Sequence, residues 1–80
     1  MEKITHLTVE TVPRLWSCRV DIFRNSQVDL AGVEDIDSAG IAFLIKWSKS
    51  LPDGKLKLLH VPEDIMSLLE TYNIKELFEI

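Results

Sequence analysis

Val12, Leu15, Trp16, Val20 and Phe23 recur at three- and four-residue spacing, the apolar stripe of an amphipathic helix, and predict one over residues 8–25. Thr8 or Thr11 is suited to cap it, and Pro13 fits only its first turn, where a missing N–H costs nothing. Asn25 and Ser26 end it. Gln27-Val28-Asp29-Leu30 reads as a short strand, and residues 31–37 as a turn with a brief extended stretch. Helical spacing returns from Ser38 to Leu51. Ile41, Leu44, Ile45, Ser48 and Leu51 share the side expected to face the core, and Ala39, Ala42, Lys46, Lys49 and Ser50 the opposite one. Phe43 and Trp47 fall on the flank between them. Pro52-Asp53-Gly54 stops this helix and turns the chain.

Residues 55–60 alternate Lys, Leu, Lys, Leu at their start, the pattern of a strand with one wet and one buried face. Pro62 opens a third helix at its first position, with Ile65, Leu68, Leu69 and Tyr72 as its stripe. Asn73 suits the left-handed position that closes such a helix. Residues 74–80 read as a final helical turn anchored by Leu77 and Phe78. Strands separated by helices pair in parallel, so the expected fold is a single α/β domain over residues 1–80: a short, mostly parallel sheet with helices packed on it.

Eighty residues leave room for one domain and a modest core, and disfavour a fully enclosed cleft in the absence of a partner. Nine Lys and Arg against thirteen Asp and Glu give a net charge of −4, and the cations from Lys3 to Lys75 form no cluster. Nucleic-acid binding is therefore not expected. A single cysteine, Cys18, forms no internal disulfide; it reads as a small helix-packing residue rather than a reactive thiol. The chain has no apolar run of membrane-spanning length and no apolar signal core at its start, which points to a cytoplasmic protein without direct membrane insertion.

Chemistry concentrates in Glu34-Asp35-Ile36-Asp37-Ser38-Ala39-Gly40, between a strand and the start of the second helix. The carboxyl ends of parallel strands and the helix N-termini beside them form the usual functional edge of α/β folds. Ser38 there is open to two readings: a helix cap, shared with Asp37, or a contact or regulatory serine whose phosphate the helix N-terminus would favour. Ala39 and Gly40 leave backbone open to close approach. Glu34, Asp35 and Asp37 read as a solvated turn rather than a metal site. His60 has no carboxylate or cysteine positioned in sequence to make it a base, and no nucleophile-elbow glycines surround Ser38. No catalytic residue, metal or cofactor is expected. The exposed strip of Ala39, Ala42 and Lys46 beside Phe43 suggests a partner groove, with packing of Phe43 on a neighbouring helix as the alternative.

Val28-Asp29-Leu30-Ala31-Gly32-Val33 running into Ile36-Asp37-Ser38-Ala39-Gly40-Ile41-Ala42 resembles the signature of the STAS domain family (sulphate transporter and anti-sigma factor antagonist). Gly54–Leu58, Val61-Pro62-Glu63, Leu68–Thr71 and Leu77–Ile80 are similar to its later strand, third helix and closing helix, so the likeness covers about residues 9–80. Ala39, Leu15-Trp16 and Tyr72-Asn73-Ile74 resemble the MlaB-type branch, the small cytoplasmic subunit of the ABC system that moves phospholipids between the two membranes of Gram-negative bacteria. That resemblance implies a non-catalytic subunit that docks on the ATPase through the N-terminal end of the second helix, using Ser38, Ala39, Gly40, Ala42, Phe43 and Lys46. Its location would be cytoplasmic, peripheral at the inner membrane through its partner. The other branch implies an anti-sigma factor antagonist, with Ser38 phosphorylated by a partner kinase. The family usually carries two strands before the first helix, whereas Met1–Leu7 supplies at most the end of one. The expected sheet is therefore truncated at its N-terminal side, and its open edge invites a homodimer.

Overall fold

The computed structural model describes residues 4–80. Of the expected strand end over Met1–Leu7, Met1, Glu2 and Lys3 lie outside the described residues, and a two-residue strand β1 occupies His6–Leu7. Helices α1 (Val12–Ser17) and α2 (Arg19–Ile22) come next, then β2 (Gln27–Asp29), β3 (Asp35–Ile36) and α3 (Ser38–Ser50). The chain closes with β4 (Leu56–Leu59), α4 (Glu63–Thr71), a 3₁₀ turn at Lys75–Leu77 and β5 (Phe78–Glu79). All pairing is parallel. β1 lies beside β3, and a three-stranded sheet runs in the order β2-β4-β5. This is the expected α/β class.

The core is built between one face of this sheet and the helices packed on it. Val28, Leu56 and Leu58 are buried from the strands, and Ile41, Phe43, Leu44 and Trp47 from α3. Ile65 and Leu69 add the stripe of α4, and Phe78 comes from β5. Lys55 and Lys57 stay exposed, so the alternation of β4 holds. Ser48 is the one buried polar residue among the described residues. Its hydroxyl receives the Leu56 N–H (2.9 Å) and donates to the Leu77 carbonyl (2.7 Å), joining α3 to the start of β4 and to the 3₁₀ turn.

Several expectations need correcting. The helix predicted over residues 8–25 is two short helices. At Cys18 the N–H reaches back only to the Leu15 carbonyl (3.0 Å), and the Ser17 hydroxyl takes the Arg14 carbonyl (2.7 Å), so the helical ladder is interrupted. Leu15 and Ile22 are buried, while Val20 (68% exposed) and Trp16 (37%) lie outside the core. Cys18 itself is exposed and does not pack helices. Residues 8–11 form a threonine turn instead, in which the Thr8 carbonyl receives the N–H groups of Thr11 and Val12.

Phe43 and Trp47 do not lie on a flank; they are 1% and 0% exposed. The Trp47 indole donates to the Asn25 carbonyl (2.9 Å) and its ring stacks on Phe23 at 5.8 Å, so the end of α2 covers this side of α3. Pro62 is the N-cap of α4, one residue before its first turn, and Tyr72 is exposed rather than part of the stripe. Asn73 does take the left-handed position (φ 57°), and the Asn73 and Ile74 N–H groups reach the Glu70 and Leu69 carbonyls. This is the double closure of a Schellman motif. Finally, the predicted closing helical turn is shorter. Phe78 leaves it to pair with Leu56 at the sheet edge.

Candidate functional site

Asp37 organises the start of α3. Its Oδ1 accepts the Ala39 N–H (2.9 Å) and the Gly40 N–H (3.2 Å), two of the donors a helix start leaves without partners. Its Oδ2 accepts the Val9 N–H (2.9 Å), so one carboxylate fastens the threonine turn after β1 to the helix. The Val9 bond above all, with those from Gly40 and Ala39, outweighs partial desolvation and holds this carboxyl below its ordinary range. The expected cap is therefore Asp37.

Gly40 is buried rather than open to a partner. A methyl group placed on it would overlap the Leu7 carbonyl and sit 2.7 Å from the Leu7 Cβ. The surface that approaches Gly40 closely belongs to β1. That contact is fixed on the other side by the Asp37 N–H, which donates to the Leu7 carbonyl at 3.1 Å.

Ser38, Ala42 and Lys46 are exposed and spaced four residues apart, one continuous line on the outside of α3, and Ala39 is half-buried beside it. Phe43 is in the core and is withdrawn from the contact set together with Gly40. The Ser38 hydroxyl makes no hydrogen bond with the described residues. Two of the N–H groups that would have favoured a phosphate here are already held by the Asp37 carboxylate, which also places a negative charge beside the position. The line ends at a feature that sequence spacing did not reveal. The Lys46 ammonium lies 5.7 Å from the centre of the Trp16 ring, and the Arg19 guanidinium 4.5 Å from it. Trp16, Arg19, Val20, Phe23, Lys46, Lys49 and Ser50 line a shallow groove of about 550 Å³ between α1–α2 and α3. Trp16 and Val20, four residues apart, share the outer side of α1–α2, while Leu15 and Ile22, seven apart, face the core.

His60 has a carboxylate partner after all. Asp29, at the end of the adjacent strand β2, lies 3.3 Å from its Nδ1. Strand pairing brings together residues 31 positions apart. Both side chains are exposed, and Asp29 also accepts the Ala31 N–H. His6 lies 4.0 Å from Glu34. Among the described residues no group of three or more His, Cys, Asp or Glu side chains is arranged to hold a metal ion. No helix of the described residues is long and apolar enough to cross a membrane. No protein-family model matches the chain, and neither does any curated protein or solved structure.

Proposed function

We propose that the chain is a STAS-like, non-catalytic binding subunit that docks on the ATPase of a phospholipid-transporting ABC complex. It would act there in regulation and assembly, held at the inner membrane through that partner. The observation that carries the reading is the exposed Ser38–Ala42–Lys46 line, presented by a helix whose start is locked by Asp37. Helix exteriors are normally charged, and two of these three side chains are small enough for a partner backbone to approach closely. The resemblance of residues 28–42 to the STAS signature and of Leu15-Trp16 to its transporter branch supplies the identity of the partner.

The alternative is an anti-sigma factor antagonist, for which the exposed Ser38 hydroxyl would be the phosphorylated group and a kinase-type anti-sigma factor the partner. Occupation of the Ala39 and Gly40 N–H groups by Asp37 supports the contact role over this one. Substitution at Ser38 separates the two. On the transporter reading, Ser38 is unphosphorylated in cells and Ser38→Ala keeps or weakens ATPase binding. On the antagonist reading, a phosphoprotein exists, Ser38→Ala abolishes it, and Ser38→Asp blocks the kinase complex. Equal binding by the wild type and both variants removes Ser38 from either account.

A further inference from the structure

The groove between α1–α2 and α3 joins two properties that rarely occur together on the surface of an acidic chain. Its walls are apolar, with Trp16 and Val20 exposed and Phe23 half-buried at its floor. Its polar lining is cationic: Arg19, Lys46 and Lys49, three of the nine Lys and Arg in the chain, with no carboxylate among the lining residues. Arg19 and Lys46 are both held near the Trp16 ring face, so their positive ends are gathered beside the apolar wall. Phe23 backs the groove rigidly, because its ring is stacked on the buried Trp47 and lies 5.5 Å from Phe43.

We propose that this groove binds an acidic amphipathic helix of a partner protein, with aliphatic side chains against Trp16, Val20 and Phe23 and carboxylates facing Arg19, Lys46 and Lys49. Charge complementarity selects this occupant. An apolar segment with cationic flanks would bring like charges together at three points, which costs affinity and slows encounter. An anionic bilayer shares the chemistry of the carboxylates but not the geometry. It would face the net charge of −4 across a broad front, whereas a single helix lies closest to the cationic lining, with the charges of the rest of the surface screened over a Debye length of about 8–10 Å. Seating an apolar helix face between two walls is a common mode of peptide recognition, and exposed Trp and Arg are the side chains most enriched among its strong contacts.

The inference rests on the reading of the chain as a partner-binding domain, and adds the chemistry of the segment that α3 receives along its Lys46 end. The test uses the full chain labelled with nitrogen-15 and two synthetic amphipathic peptides with identical leucine faces, one flanked by glutamates and the other by lysines. The two indole N–H resonances report separately, since Trp16 lines the groove while Trp47 is buried and bonded to Asn25. The glutamate peptide is expected to shift Trp16 and spare Trp47, to bind at least about tenfold more tightly than the lysine peptide, and to weaken as salt is raised. In the Lys46→Glu/Lys49→Glu variant, both exposed positions, that preference is expected to vanish or invert. Equal affinity for the two peptides, or no movement of Trp16 with either, overturns the proposal. So does a Trp16 shift with phosphatidylglycerol vesicles alone, which would make the groove a membrane contact. No ATPase enters the assay, so its failure leaves the reading of Ser38 and Ala42 standing, and a wrong ATPase partner leaves the peptide preference intact.

Discussion

Replacing Gly40 by alanine sets two effects of known size against each other. Gly40 lies in the first turn of α3, where alanine would gain up to about 1 kcal/mol of helix propensity. The new methyl group, however, would overlap the Leu7 carbonyl and lie 2.7 Å from the Leu7 Cβ. The obstacle is mainly backbone, so no side-chain rotation relieves it. β1 must retreat, and overpacking of this kind costs about 1–3 kcal/mol or more. Retreat also strains the bond from the Asp37 N–H to the Leu7 carbonyl, worth a further ~0.5–1.5 kcal/mol. The clash wins, and the variant should be about 1–3 kcal/mol less stable than the wild type. Urea unfolding followed by the fluorescence of the buried Trp47 measures this directly, with Ala42→Gly as a control expected to lose about 1 kcal/mol from propensity alone. A Gly40→Ala protein as stable as the wild type, or more so, would refute the reasoning. It would show that β1 does not press on the helix start, and would return Gly40 to the set of residues available to a partner.

Three further outcomes are expected. Ser48→Ala leaves the buried Leu56 N–H and the Leu77 carbonyl without their partner, and should cost about 2–4 kcal/mol, whereas Ser50→Ala on the exposed side should stay within about 0.5 kcal/mol; matching urea midpoints would contradict this. Asp37 titrates lower in the folded chain than in the unfolded one, so its ionised form stabilises the fold above about pH 3.9 and that contribution is lost as pH falls through the folded value. The stability gap between wild type and Asp37→Asn should therefore narrow on acidification, and a constant gap would speak against the three N–H bonds. The strands β2 and β5 flank the three-stranded sheet, and pairing along such an edge predicts a concentration-dependent homodimer in light scattering; a monodisperse monomer at every concentration rules it out.

The parts of the fold that were legible in the sequence are those whose burial is decided locally. Lys55–Leu58 alternates because β4 has one wet face, and Ser38–Leu51 keeps its period because one helix spans it. Asn73 was readable because few residues other than glycine take its backbone conformation easily. The misreadings share a different cause. Phe43 and Trp47 are covered by Phe23 and Asn25, residues that follow α2 and are far from them in sequence. The stripe of Val12, Leu15, Trp16, Val20 and Phe23 mixes residues of two sides: Leu15 faces the core with Ile22, and Trp16 and Val20 face outward, a choice that spacing alone does not decide. β5 is two residues long, too short for any alternation to show. On α3 the four-residue spacing places Ser38, Ala42 and Lys46 on one line, and Asp37 caps the helix as its place before Ser38 suggests. The burial of Gly40 was not readable, because the close approach it permits comes from β1, more than thirty positions away.

On the proposed reading, the Ser38–Ala42–Lys46 line receives the ATPase of a lipid-transporting ABC complex. Affinity capture from native cells with the wild-type chain and Ala42→Arg, identified by mass spectrometry, tests it most directly. Ala42 is exposed, so the arginine leaves the fold intact and blocks only close approach to the helix. An ABC ATPase with its membrane permease is expected on the wild-type chain and is expected to be lost on the variant. Recovery of a kinase-type anti-sigma factor instead, or an ATPase retained equally by both chains, would contradict this reading.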